Sequence, residues 1–279
     1  MSIITLITDW GTDGSYVGTM KGKILSLGHD LLIVDIANDI KPYDKIHAAY
    51  ILRNCYTIFP KGTIHILGVG GNLENQKAEF VAFEHNGYFF IGKNDGIWGL
   101  VFDEIPQEIY SFSNTNTEGQ TIHGFPELIV YSSIIDAISK TKTLNNIGTP
   151  IKKLFVRHRQ LPTVNSNSII GEIVFIDNYG NAITNISIDD YNRAHNGRQC
   201  KIHIASLRNI IYQINSSYEQ TERGEILAIW SYSGFLEVAI ANGSAKDLLN
   251  LSVSNSVRIT FIDEFSEAQL TAQAKSTLF

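Results

Sequence analysis

Ile3-Ile4-Thr5-Leu6-Ile7-Thr8-Asp9-Trp10-Gly11-Thr12-Asp13-Gly14-Ser15-Tyr16-Val17 is the stretch on which the fold turns. Ile3–Ile7 is an unbroken apolar and β-branched run, the composition of a buried strand. Asp9–Ser15 is turn chemistry, and Val17, Met20, Ile24 and Leu27 then recur at spacings of 3, 4 and 3, a helical stripe with Gly28 as its stop. Outward from there the alternation continues. Leu31–Ile36 reads as a strand, Asp44 opens a helix to about Cys55, and Thr63–Val69 is a strand after the Phe59-Pro60-Lys61-Gly62 turn. This βαβαβ rhythm predicts an α/β N-terminal domain with a largely parallel sheet. Phe80–Phe83 and Tyr88–Ile91 flank His85-Asn86-Gly87 as a hairpin, and Leu128, Tyr131, Ile135 and Ile138 mark a further helix.

The pattern changes past the middle of the 279 residues, a length that favours two domains. Thr149–Ser168 contains Pro150, Pro162, a basic cluster (Lys152, Lys153, Arg157, Arg159) and the run Asn165-Ser166-Asn167-Ser168. Beyond it, Glu172–Ile176, Ala182–Ile186, Lys201–Ala205, Ile226–Trp230, Phe235–Ala241 and Val257–Ile262 are short and rich in Ile and Val. They predict a C-terminal antiparallel, β-barrel-like domain. The expected division is 1–155, a linker at 156–168, and 169–279.

Composition narrows the function. Twenty-two Lys+Arg against 28 Asp+Glu leave a net charge of −6, so no basic surplus is available for phosphates and no nucleic-acid partner is expected. No apolar run approaches the roughly 20 residues that span a bilayer, so no membrane partner is expected either. Met1–Leu6 lacks a basic n-region and reads as a first strand rather than a signal peptide, which predicts a cytoplasmic protein. Cys55 and Cys200 stand far apart without Cys/His ligand spacing; they read as buried small hydrophobes, and no metal is expected.

Gly68-Val69-Gly70-Gly71 follows a strand but fails the dinucleotide fingerprint, with Leu73 at the third glycine. The lack of a Gly-rich fingerprint after the first strand argues against a methyltransferase. Attention passes to polar residues at strand ends, where open α/β sheets place ligands. Asp9 can accept two hydrogen bonds from a vicinal diol such as ribose, or Asp9 or Asp13 can cap the following helix. His123 precedes the last helix of the N-terminal half and is either structural or a site residue. Asp177-Asn178-Tyr179-Gly180-Asn181, followed by Thr184-Asn185, reads equally as an adenine clamp and as a hairpin turn.

Taken together, Thr8-Asp9-Trp10-Gly11, Tyr16–Gly22, Ile33-Val34-Asp35-Ile36, Phe59–His65, His123-Gly124, Asp177–Asn185 and Gly234–Ala239 carry a resemblance that extends over nearly the whole chain. The chain resembles the S-adenosylmethionine hydroxide adenosyltransferase family, which also includes enzymes that make 5′-fluoro- and 5′-chloro-5′-deoxyadenosine. The resemblance implies an N-terminal α/β domain, a C-terminal barrel-like domain, and a homotrimer with its sites between subunits. It implies S-adenosylmethionine as substrate, with no further cofactor, and attack of a nucleophile on its 5′ carbon with loss of methionine. By matching position, Asp9 would hold the ribose hydroxyls, Tyr179 the adenine face, Asn181 the base and Asp177 the methionine ammonium.

The sulfonium is already a good leaving group, so catalysis reduces to placing a desolvated nucleophile in line with the C–S bond. Members that use hydroxide resemble one another in an Asp, Arg and His set that polarises water. Here Gly70 stands at the Asp position and Lys77 at the Arg position, while His123 is retained; Glu74 lies four residues beyond Gly70. Lys keeps the charge without the rigid fork. Gly14 replaces an acid, with Asp13 adjacent, and Phe125-Pro126 replaces an Arg-Asp. Ser231-Tyr232-Ser233 replaces an Asn-Ser, leaving Ser233 to meet the methionine end. The halogenating members carry an aromatic at the Gly70 position and hold their halide near Gly124. Three readings follow: hydrolysis to adenosine and methionine, with His123 and Lys77 as catalytic residues; an adenosine-binding protein that has lost turnover; and halide transfer, with Gly70 and Gly124 bordering the nucleophile.

Overall fold

The computed structural model describes residues 2–70, 79–112, 124–145 and 147–262. The chain divides into two compact units, Met1–Arg159 and Gln160–Phe279.

The first unit is built on a seven-stranded sheet in the order β2-β1-β3-β5-β4-β6-β7. Its strands are β1 (Ser2–Thr8), β2 (Leu31–Ala37), β3 (Ile64–Gly68), β4 (Phe80–His85), β5 (Tyr88–Lys93), β6 (Ile109–Phe112) and β7 (Thr149–Ile151). β2, β1, β3 and β5 run parallel, whereas β4, β6 and β7 add antiparallel pairings. The sheet is therefore mixed, and the expectation of a largely parallel one is corrected. The βαβαβ rhythm ends at β3, and the Asn86-Gly87 turn, with φ of 52° and 78°, folds β4 and β5 into a hairpin.

Alternation along the strands sends neighbouring side chains to opposite faces. Ile4, Leu6, Ile64, Ile66, Phe80 and Ala82 meet α1 (Tyr16–Leu25) and α4 (Pro126–Thr141). Ile7, Leu67, Val81, Phe83 and Phe90 meet α2 (Lys45–Cys55) and the short α3 (Trp98–Val101). Asp44 caps α2 by accepting the His47 N–H at 3.0 Å. Of the two cysteines, Cys200 is buried and Cys55 half-buried, and both are free thiols.

The second unit carries β8 (Thr163–Val164), β9 (Ser168–Ile176), β10 (Ala182–Ser187), β11 (Gln199–Ile204), β12 (Ser206–Ile211), β13 (Ile214–Asn215), β14 (Ile226–Trp230), β15 (Phe235–Ile240) and β16 (Ser256–Ile262). These form a nine-stranded sheet whose path runs β12-β11-β16-β9-β10-β15-β14-β13, with β8 paired to β9. All pairings are antiparallel except β13 with β14. β12 comes against β14 from the other end of the path, so the sheet is nearly barrel-shaped. Ile169, Ile173, Ala182, Ile186, Ile202, Leu236, Val238, Val257 and Ile259 fill its interior. α5 (Ile188–His195) begins with a capping box between Ser187 and Asp190. Within the stretch expected as a linker, Val156 bridges to Gly96 in the first unit and Thr163–Val164 belongs to the second sheet.

Among the described residues no helix is long and apolar enough to cross a membrane.

Candidate active site

In the first unit the site grows from the C-terminal ends of the parallel strands. β1 delivers Asp9, β3 delivers Gly70 two residues past its end, and β5 delivers Lys93 and then Asp95. Asp9 does not cap α1: the cap position is Ser15, without a side-chain bond. Instead Asp9 Oδ2 accepts the Tyr43 N–H at 2.9 Å and the Gly70 N–H at 3.2 Å. Two backbone donors on one oxygen fix the carboxylate plane, and no donor to Oδ1 lies among the described residues. Asp13 is exposed and does not cap α1 either. Asp39 Oδ1 accepts both the N–H and the hydroxyl of Thr12, each at 2.9 Å, and the Gly11 N–H bonds the Asn38 carbonyl at 2.9 Å. Thr8 Oγ1 donates to Asn38 Oδ1 at 2.9 Å, and Asn38 Nδ2 to Asp35 Oδ1 at 2.7 Å.

Gly70 is held on three sides. Its N–H goes to Asp9, its carbonyl accepts Lys93 Nζ at 2.9 Å, and its φ is +102°. Lys93 also pairs with Glu127 at 2.7 Å, and Lys45 Nζ lies 2.7 Å from Asp95 Oδ2. All four of these side chains are largely buried, Asp95 only 3% exposed. Buried pairs of this kind need additional hydrogen bonds to offset desolvation. Lys45 donates to the Asp95 carbonyl at 3.2 Å, and Asp95 Oδ1 accepts the Ile97 N–H at 3.3 Å. Asp95 Oδ2 itself has no aligned donor among the described residues. Tyr131 Oη is likewise buried without such a partner. Burial, reinforced by the charges of Glu127, Asp95 and Asp9, raises the Tyr131 phenol well above its ordinary pKa and keeps it protonated.

Trp10 and Tyr16, after β1, form an aromatic group with Phe125. Phe125, at the position of the Arg that the resemblance leads one to expect, meets Trp10 and Tyr16 edge-to-face, each at 5.0 Å between centroids. Gly124 is exposed, and a Cβ built on it meets no described atom within 4 Å. His123, Lys77 and Glu74 lie outside the described residues.

In the second unit Asp177–Asn181 is the β9–β10 turn, so the hairpin reading holds. Asp177 Oδ1 accepts the N–H of Tyr179 at 2.9 Å and of Asn181 at 2.8 Å, while Oδ2 accepts Asn181 Nδ2 at 3.2 Å. This arrangement buries Asn181 and leaves the Tyr179 ring 81% exposed. Glu237 is buried nearby and accepts the Tyr218 hydroxyl. Burial raises its carboxyl pKa, opposed by that hydrogen bond and reinforced by the charge of Asp177. Ser233 stands elsewhere. The register pairs Ser187 with Phe235 and Ala182 with Val238, placing Ser231–Gly234 at the opposite end of β10 from Asp177–Asn181. Ser231 Oγ and Ser233 Oγ lie 2.9 Å apart.

Sequence reasoning singled out Asp9 and Gly70 but missed Lys45, Lys93, Asp95 and Glu127. Asp95 carried the same signal as Asp9, an acid just past a strand end, whereas nothing local marks Lys45 or Glu127.

Both units match models of one family. The SAM hydroxide adenosyltransferase N-terminal domain matches residues 4–148, and the C-terminal domain of the same name matches residues 171–258. The chain belongs to the SAM hydroxide adenosyltransferase family. It is 28% identical over 270 residues to an (R)-S-adenosyl-L-methionine hydrolase of Methanocaldococcus jannaschii, covering 94% of this chain and 97% of that protein. It is 26% identical over 235 residues to a fluorinase of Actinoplanes sp., covering 72% of this chain and 77% of that one. A crystal structure of an uncharacterized conserved protein from Thermotoga maritima shares the fold, with a TM-score of 0.80 at 22% identity over 93% of this chain and 100% of that one.

Proposed function

We propose that the chain hydrolyses S-adenosylmethionine to adenosine and methionine. The observation that carries this reading is the match of both units to the family models, together with likeness to an (R)-S-adenosyl-L-methionine hydrolase along almost its full length. Asp9 takes the ribose diol: backbone donors hold Oδ2, and Oδ1 offers lone pairs toward a ligand. Tyr179 offers a bare aromatic face to adenine, Asn181 its amide to the base edge, and Asp177 its charge to the methionine ammonium. Asp13, from the exposed turn after Asp9, is a secondary contact in this reading, whereas Ser233, at the far end of β10 from Asp177–Asn181, is left out of it. His123 and Lys77 serve as the water-polarising pair. S-adenosylmethionine is substrate, not resident cofactor. A homotrimer with shared sites and a cytoplasmic location complete the proposal.

The mechanism needs no acid at the leaving group. Sulfonium sulfur departs as a neutral thioether, so the protein orients the ribose, excludes water other than the nucleophile, and removes one proton. Purified protein incubated with S-adenosylmethionine and followed by chromatography should release adenosine and methionine in equal amounts. No adenosine above a heat-killed control at high enzyme concentration would end the hydrolase reading.

A second reading, halide transfer, is favoured by the fluorinase likeness and by the absence of any described atom within 4 Å of a Cβ at Gly124. It predicts 5′-halo-5′-deoxyadenosine when fluoride or chloride is added to the same assay. A third, binding without turnover, follows from the missing carboxylate at Gly70 and predicts calorimetric binding of S-adenosylmethionine with no product.

A further inference from the structure

The loss of an acid at Gly70 leaves the hydrolase without its expected carboxylate, yet the space at Gly70 is not empty. A Cβ built on Gly70 would lie 2.6 Å from Asp95 Oδ2 and 2.6 Å from Lys45 Cε, closer than real Cβ contacts come. The room that a side chain at position 70 would need is already filled by a carboxylate oxygen. Asp95 Oδ2 is buried with Lys45 Nζ 2.7 Å away but no aligned donor among the described residues. The Tyr131 hydroxyl is a second buried polar atom without a hydrogen-bond partner among the described residues. A buried carboxylate oxygen whose near neighbour is an ammonium out of hydrogen-bond alignment keeps lone pairs that a bound water can use.

We propose that Asp95 replaces the missing acid as the carboxylate that orients the attacking water and receives its proton. The inference rests on the hydrolase reading. Asp9, the proposed diol anchor, bonds the N–H of the same Gly70 against which Asp95 packs, so the two carboxylates flank one residue. A ribose held by Asp9 brings its 5′ carbon to that neighbourhood. In the step, the water oxygen bonds C5′ while the C5′–S bond breaks and its electron pair goes to sulfur. The water proton passes to Asp95 and then to solvent. Lys45 holds Asp95 in place. The acid has moved from the turn after β3 to the turn after β5, its neighbour in the sheet.

Asp95→Asn and the charge-neutral pair Lys45→Met/Asp95→Asn test this, the second guarding against a fold lost to an unpaired buried lysine. Both should lower kcat for adenosine formation by about 10²–10⁴-fold. Calorimetric affinity for S-adenosylmethionine should stay within a few-fold of the parent, and the double variant should keep its melting temperature. Wild-type turnover with undiminished kcat in either folded variant, or a loss confined to KM, would overturn the role of Asp95 and leave the hydrolase reading standing. A wild-type chain that makes no adenosine would overturn both.

Discussion

Asp9 shows how much one residue does here. Its Oδ2 satisfies the backbone N–H groups of Tyr43 and Gly70, drawn from two different connections, before any ligand is considered. Asp9→Ala should therefore act twice. Unfolding stability should fall by about 1–3 kcal/mol for the stranded donors, and S-adenosylmethionine affinity measured by calorimetry should fall at least about tenfold. Unchanged affinity would detach Asp9 from the ribose. His65 provides the pH dependence. Its ring is fully buried on β3, bonded to Thr5 Oγ1 at 2.8 Å and stacked on Phe90, and burial lowers its pKa to about 4. The folded state holds the neutral ring and the unfolded state binds the proton more readily. His65 therefore contributes stability above its unfolded pKa near 6.5 that is lost as pH falls toward 4, on the order of 3 kcal/mol in all. Urea unfolding at pH 7 and pH 4.5 should show this slope, and His65→Gln should flatten it.

At the scale of elements, strand ends decide where chemistry can sit. Trp10 leaves β1 and lies so close over the end of β3 that a Cβ on Gly68 would fall 2.5 Å from the indole. Gly68→Ala must displace that ring, and with it the aromatic contact to Phe125. Overpacking of this kind costs about 1–3 kcal/mol, read as a lower melting temperature. It should also raise KM, because the chain that carries Asp9 moves with Trp10. Much of this architecture was legible locally. The stripe through Val17, Met20 and Ile24 became α1, which ends at Leu25, short of Leu27, and Asp44 became the cap of α2. What was not legible was the sheet order. β4 and β5 have plain strand patterns, but their pairing, parallel for β5 with β3 and antiparallel for β4 with β6, is a choice among distant partners. The capped helix α5 was also missed, because Ile188–His195 has few apolar residues and buries only Ala194.

For the whole molecule, Asp9, Gly70 and Asp95 belong to Met1–Arg159, while Asp177, Tyr179 and Asn181 belong to Gln160–Phe279. The bare Tyr179 ring is an expensive surface for a residue of such apolar area, and the proposed homotrimer gives it a ligand and a neighbour to cover it. Light scattering coupled to size exclusion should return three times the chain mass, and a monomer at assay concentration would remove the shared-site part of the proposal.

Periodicity, turn residues and the order of short motifs were sufficient to indicate two units, the strands and helices that open the chain, the family resemblance and Asp9 as a candidate, because each is encoded within a few residues. Tertiary structure alone revealed that Lys45, Lys93, Asp95 and Glu127 gather around Gly70. Those residues lie on separate elements, and only the burial of the sheet's two faces brings their charges within ion-pairing distance.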